Sequence, residues 1–380
     1  MAAAVAIVVV FFLPLPHVSL FKRLVAPTSV STTTTSSSTT TVTTTVPSSR
    51  VTPTAVAGAA GYLWLAGTYG CAGGACSALM LSTDGGQSWA RVGQPPSSVV
   101  LVSPQFSLLN FANRKDGYAH GKQGTPLYWT GDGGRHWQRG PLIGDLYDLV
   151  TTGGRAYALW REGGSANYRD FRYYLSVSSI SSNSWRTIKL PALTNGQTVF
   201  LTAWKSKVWL VVTPLPAAGE AYLLVSSNEF RTFSRVATTG LGGLSSMAVA
   251  SSFETLWGVA TGGSMDGLAR STDGGKRFVA FPEDAAGVAF LPGSLVFPVS
   301  DSEALAADSV GFGLFLTHNG GQSFSRVLPR AQILDVGFAN GNDWLALGWP
   351  NPTAAEPLST SIWLTITGGR SWQAVKSPDA

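Results

Sequence analysis

From about Val51 onward the chain alternates short apolar runs with polar, glycine-rich turns, and the pattern repeats. Segments such as SALML, TPLYW, YYLSV and YLLV end at a polar octapeptide, and segments such as WARV, WQRG, WRTI and FSRV follow it. Upstream in each unit lie two further apolar stretches, for example LLNFA then GYAHG, VFLTA then KVWLVV, and LDVGFA then DWLALG. Each run is too short for a helix of ordinary length and is bounded by turn residues, so the pattern predicts strands. Four short strands per unit of 45–48 residues predict a blade of a β-propeller.

The octapeptides fix the register. Ser82–Trp89 reads STDGGQSW, and copies open at Thr130, Ser178, Ser226, Ser271, Thr317 and Thr365. The spacings are 48, 48, 48, 45, 46 and 48 residues. Seven such units predict an all-β, seven-bladed propeller with four antiparallel strands per blade and the octapeptide turn between strands three and four. Asp84, Asp132, Asp273 and Asn319 occupy the third position, where a short polar side chain accepts backbone N–H bonds inside a tight turn. The closing aromatics, Trp89, Trp137, Trp185, Phe278, Phe324 and Trp372, are expected to bury a ring between neighbouring sheets. A metal or sugar site at each Asp is the functional alternative. The copies at Ser178, Ser226 and Thr365 carry no Asp at that position, so the turn is expected to be structural and no metal is expected.

The first 50 residues differ. Residues 1–27 contain an apolar run, AAAVAIVVVFFLPL, shorter than the roughly 20 residues that span a bilayer. It is expected to be a signal or membrane-anchor segment, although no Lys or Arg precedes it. Residues 28–50 are rich in Ser and Thr and are expected to form a disordered stalk. Residues 51–380 form the propeller. Cys71 and Cys76, the only cysteines, flank a four-residue loop and are expected to form a disulfide, which implies an oxidising compartment. Together these features point to a secreted or cell-surface protein, monomeric and tethered to a membrane if the N-terminal segment is retained.

Composition narrows the chemistry. Charged residues make up 12% and the net charge is +5, without the clustered Lys/Arg of a nucleic-acid surface. The octapeptides resemble the Asp box, or bacterial neuraminidase repeat, S-x-D-x-G-x-[ST]-W. The whole unit is similar to photosystem II assembly and stability factors and to exported neuraminidase-repeat proteins. This resemblance implies the propeller fold, but the Asp box occurs in sialidases, xyloglucan hydrolases, receptors and assembly factors alike. A sialidase would bring six blades, an Arg triad, a Tyr nucleophile with a Glu, an acidic Asp and an Arg-Ile-Pro motif, which is missing from this sequence. Xyloglucan hydrolases pair two propellers around a cleft with carboxylates from each. A pair of carboxylates at a set separation is what such chemistry needs. Among the 21 acidic residues, no two are recognisable at equivalent blade positions facing a common pocket.

Binding is therefore expected on the face opposite the octapeptides, where loops join strands two and three and link the blades. The third unit's long segment from Trp160 to Arg172 and the seventh unit's Gly348–Pro352 place Trp160, Arg161, Tyr168, Arg169 and Trp349 there. Aromatic and Arg side chains favour contact surfaces. The expected function is a non-catalytic extracytoplasmic binding or assembly scaffold whose partner is a protein or carbohydrate of the cell envelope, with no cofactor and no nucleic acid. The alternative is a sialidase-like glycoside hydrolase.

Overall fold

The computed structural model describes residues 49–380 except 101–107, 122–123, 143, 163–171, 189, 191–196, 215–220, 229, 237, 239–243, 250–254, 261–266, 282–294, 308–312 and 351–358. The expected signal or anchor segment and nearly all of the expected stalk lie outside the described residues. The chain forms seven sheets of four strands each. Blade 1 consists of Thr52–Ala59, Tyr62–Cys71, Gly74–Ser82 and Ala90–Gly93. The other blades occupy 108–139, 145–188, 197–236, 244–281, 295–329 and 331–375. Within every blade, strands adjacent in sequence pair antiparallel, as between Leu63–Cys71 and Gly74–Ser82. A helical turn, Ser97–Val100, lies between blades 1 and 2.

Burial follows strand rank. The second strands are covered on both faces, so Leu63–Ala66, Gly117–His120 and Ala304–Ala307 are buried throughout. The fourth strands are short and largely exposed, as in Ala90–Gly93. This is why strand two reads as a continuous apolar run and strand four as an alternating one.

Seven apolar clusters lie between consecutive blades, and each contains the closing aromatic of one octapeptide. Trp89 joins the cluster between blades 7 and 1, Trp137 that between 1 and 2, and Trp185 that between 2 and 3. Phe233, Phe278, Phe324 and Trp372 continue around the ring. From the facing side, one position of strand two contributes Trp64, Tyr118, Tyr157, Trp209 and Trp257, all essentially inaccessible to water. The two sets meet: Tyr118 packs edge-on against Trp185 with centroids 5.7 Å apart, and Trp209 Nε1 donates to Gly274 O at 3.2 Å.

The ring closes between blades 7 and 1. No strand is shared, because each of these blades is built from one continuous segment. Face-to-face packing is supplemented by a short pairing of the flanking residues. Val51 N donates to Pro378 O at 2.9 Å, and Ala380 N donates to Ser49 O at 2.8 Å. Thr360 Oγ1 donates to Pro53 O at 2.6 Å. The first strands of the two blades also approach unusually closely. A Cβ on Gly58 would stand 2.4 Å from the Phe338 carbonyl carbon, and one on Gly337 would stand 2.6 Å from that of Ala57. The position of Gly58 holds Phe111, Thr151, Ala203, Pro298 and Phe338 in other blades. Glycine there serves closure, and backbone cannot move aside as a side chain can. Gly58→Ala is expected to cost at least about 2 kcal/mol, read as a lowered denaturation midpoint. An unchanged midpoint would show that closure does not depend on this approach.

Candidate functional site

The octapeptides carry dense networks of side-chain hydrogen bonds. Ser82 Oγ donates to Asp84 Oδ1 at 2.7 Å and accepts from Gly86 N at 2.7 Å. Ser88 N donates to Asp84 Oδ1 at 2.9 Å, and Trp89 Nε1 donates to Gly86 O at 3.2 Å. The Ser88 hydroxyl, the Ser88 N–H and the Ser82 hydroxyl together hold the Asp84 carboxyl down at about 2. Asp132 and Asp273 make the same bonds to Thr130 and Ser271. Asn319 does so with Thr317 and Ser323. In blade 4 the third-position residue is Asn228, which accepts from Ser226 Oγ and Thr232 N. In blade 7 it is Thr367, which accepts from Ser371 N. An acceptor serves the turn whether or not it is charged, so these side chains are fully engaged in local geometry. Among the described residues no group of three or more His, Cys, Asp or Glu could hold a metal ion.

On the opposite face, the hairpin between strands two and three of blade 1 carries a disulfide between Cys71 and Cys76. Blade 3 concentrates the ionisable groups. Its second strand extends to Glu162, so Trp160 and Arg161 are strand residues and not loop residues. Both are buried, each 9% exposed, and Trp349, in the second strand of blade 7, is 5% exposed. These three positions therefore lie in strands and not in the loops expected of them. The alternation of the strand sends Trp160 and Arg161 to opposite faces of the sheet, where each finds partners. Tyr168 and Arg169 lie outside the described residues.

Trp160 stacks on Tyr174 with centroids 4.4 Å apart, and its Nε1 donates to Ser176 Oγ at 2.8 Å. Beside it lies a cavity lined by His120, Thr125, Leu127, Leu142, Gly144 and Leu146. Its volume of about 10 Å³ is room for one water at most. Burial pulls the His120 imidazole down to about 4. It is therefore neutral near pH 7, with Nε2–H donating to Thr125 O at 3.1 Å. On the other face, Arg161 Nε lies 3.7 Å from Asp145 Oδ2, and the guanidinium sits 5.1 Å from the Tyr147 ring centroid. Tyr147 meets Tyr173 edge-on at 5.6 Å. Burial raises both phenols above the ordinary tyrosine range, so neither is poised as a phenolate.

Two further carboxyls stand on the channel-lining first strands. Asp148 of blade 3 and Asp335 of blade 7 occupy the same blade position, immediately after an extra residue that breaks the register. Other blades carry Ala55, Leu108, Phe200, Ser246 and Leu295 there. Equivalent carboxylates, not recognised from the sequence, are thus present. Asp148 Oδ1 accepts from Leu149 N at 2.8 Å and Oδ2 from Leu201 N of blade 4 at 3.2 Å. Asp335 Oδ1 accepts from Val336 N at 2.8 Å. Both are half-buried and enclosed by protein, and burial raises Asp148 to about 6 and Asp335 to about 7. With fewer backbone donors, Asp335 is shifted further. Blades 3 and 7 face each other across a ring of seven. An Asp a few residues before the turn into strand two was the available sequence signal.

No protein-family model matches the sequence, and no curated protein matches it. Among solved structures, the chain is similar to a GH74 xyloglucanase from Xanthomonas campestris, at 16% identity and a TM-score of 0.52, with 87% of this chain and 61% of that chain covered. It is similar to a puromycin-hydrolyzing peptidase from Mycobacterium tuberculosis, at 11% identity and a TM-score of 0.57, covering 87% and 54%. YCF48 from Cyanidioschyzon merolae aligns at 14% identity and a TM-score of 0.49, covering 71% and 85%. The chain therefore spans 61% and 54% of the xyloglucanase and the peptidase. At these identities the first two comparisons establish fold and nothing finer: the chain is a seven-bladed, all-β propeller.

Proposed function

We propose that this protein is an extracytoplasmic, non-catalytic scaffold that binds a protein or glycan of the cell envelope through the face opposite the octapeptides. The observation that supports this most is the state of the ionisable groups at the end of blade 3. Arg161 is matched to Asp145 and covered by Tyr147, both phenols are raised, and His120 is neutral and bonded to a backbone carbonyl. Groups already committed to one another position loops well and transfer protons poorly. In this reading the contact residues are those beyond the strand end, Tyr168 and Arg169, carried between Glu162 and Arg172, which are both exposed.

The test is capture of a partner from a cell-envelope extract, with a glycan array run on the same full chain. Tyr168→Ala combined with Arg169→Ala is expected to lower binding at least tenfold while leaving the denaturation midpoint unchanged. Wild-type affinity in that double variant would remove blade 3 from the contact.

A second reading, glycoside hydrolysis, is favoured by Asp148 and Asp335. A carboxyl raised to about 7 is protonated where a general acid must be. Against it stands the engagement of both carboxyls by backbone N–H groups in structural positions.

A further inference from the structure

On the octapeptide face, blades 1 and 2 leave a cleft of about 330 Å³ between them, at the lower end of the range for small-ligand sites. One wall is apolar, from Leu81 and Val92 of blade 1. The other is basic, from Arg114, Lys115 and Arg135 of blade 2, with Gly131, Asp132 and Gly133 completing the lining. The three cations are exposed. The lining carboxylate, Asp132, is already bonded to Thr130 Oγ1, to His136 N and to His136 Nδ1, the last at 2.6 Å. The nearby Asp116 carboxylate accepts from Asn113 Nδ2 at 2.8 Å. The guanidinium of Arg114 lies 5.2 Å from the Tyr62 ring centroid, and Arg135 Nη1 donates to Asp132 O at 3.2 Å. Both arginines keep most of their donors free of these contacts.

The fold does not require these charges, as its own repeats show. Arg114 and Lys115 are the middle residues of a turn in which Asn113 Oδ1 accepts from Lys115 N and Asp116 N, and Lys115 O accepts from Gly133 N. Blade 7 builds the same turn: Asn340 Oδ1 accepts from Asn342 N and Asp343 N, and Asn342 O accepts from Gly368 N. Blade 6 builds it with Ser300 Oγ accepting from Ser302 N and Glu303 N. The middle pairs there are Gly341-Asn342 and Asp301-Ser302. Likewise, the octapeptide position of Arg135 holds Gln87 and Gln322 in other blades. Blade 2 alone among these three turns sets two cations in the middle pair, and the bond from Gly133 holds them against the octapeptide that carries the third.

We propose that this cleft binds an acidic sugar, with Arg114, Lys115 and Arg135 gripping its sulfate or carboxylate and Leu81 and Val92 taking the apolar face of the ring. Three converging cations suit an oxyanion, with arginine offering paired donors. The apolar wall and the glycine-lined floor suit a compact ring better than an extended polyanion, which would need a basic track. The site lies on the face opposite the one in the scaffold reading, and it stands or falls independently of it.

Isothermal titration of the full chain with a sulfated disaccharide, a uronic-acid disaccharide, their uncharged parent and inorganic sulfate, all at one ionic strength, tests this. At least one acidic disaccharide is expected to bind at least tenfold more tightly than the parent and than sulfate. Arg114→Gly with Lys115→Asn, which installs the blade 7 pair, is expected to weaken binding at least tenfold. Arg135→Gln, which leaves the turn untouched, is expected to weaken it at least threefold. Arg370→Gln, at the same octapeptide position in blade 7 beside a turn without cations, is expected to bind as wild type. Equal loss in Arg370→Gln, sulfate binding as tightly as the sugars, or failure of both acidic sugars to bind would overturn the proposal.

Discussion

Trp64→Ala is expected to destabilise the propeller by about 3–5 kcal/mol, the range for deleting a large buried ring. Trp64 is inaccessible to water and lies flat on Phe111, with centroids 4.0 Å apart and planes within 2°. Phe111 in turn meets Trp137, the closing aromatic of the second octapeptide, at 6.2 Å. The three rings belong to the cluster that joins blades 1 and 2, so the deletion empties the centre of one interface. A conservative change separates packing from hydrogen bonding. Among the described residues Trp64 Nε1 has no acceptor, whereas Trp209 Nε1, at the same position of blade 4, donates to Gly274 O. Trp64→Phe is therefore expected to cost less than Trp209→Phe, by about 1 kcal/mol. Equilibrium denaturation of the three variants checks this. Equal costs for the two Trp→Phe changes would show that the inter-blade bond contributes nothing.

Asp335→Asn is expected to stabilise the protein at pH 8. Burial raises this carboxyl to about 7 in the fold from an ordinary 3.8, so the folded state holds its proton more tightly than the unfolded chain does. The stability this group contributes is complete below about pH 4 and is lost as pH rises through 7. Above that, the fold carries a partly desolvated charge worth on the order of 2–4 kcal/mol, the lower figure allowing for screening by water in the channel. Asparagine keeps an acceptor for Val336 N–H and removes the charge. The variant's gain should be largest at pH 8 and vanish near pH 4. Asp148→Asn should gain less, because its amide has one oxygen for the two backbone N–H groups of Leu149 and Leu201, and its pH-dependence should end near pH 6. Asp84, held down at about 2, works in the opposite direction, its contribution lost as pH falls through 2. The wild-type stability optimum is therefore expected on the acid side of neutrality. A profile that is flat between pH 4 and 8 in wild type would contradict the assignment of both channel carboxyls.

These residues also show what a single sequence makes legible. The seven blades were readable because the octapeptide carries its own local chemistry, a short acceptor, two positions tolerant of left-handed backbone and a closing ring. The weakened copy of blade 4 kept the function of each place, Asn228 for Asp and Phe230, at φ 70°, for glycine, whereas blade 3 carries Ile180 at the third position and has no acceptor there. Ring closure was not readable, because the contact of Gly58 with Phe338 joins segments 280 positions apart with no local pattern to mark it. Asp148 and Asp335 were hidden for a related reason. In DLVTT and LDVGFA an acidic residue at a strand end looks like ordinary solvent-facing punctuation. Only the extra residue before it turns the carboxyl toward neighbouring backbone. Trp160, Arg161 and Trp349 were misplaced because a strand that ends in aromatic and Arg residues resembles a binding loop until its pairing partners, Tyr174, Tyr173 and Gln332, are seen.

The scaffold reading is tested most directly by turnover. Fluorogenic sialosides and xyloglucan oligosaccharides should be incubated with the full chain and with Asp148→Asn and Asp335→Asn. The account predicts that no preparation releases product faster than buffer, while both variants remain folded. Release by wild type that is abolished by either substitution would contradict it and make the channel carboxyls a catalytic pair.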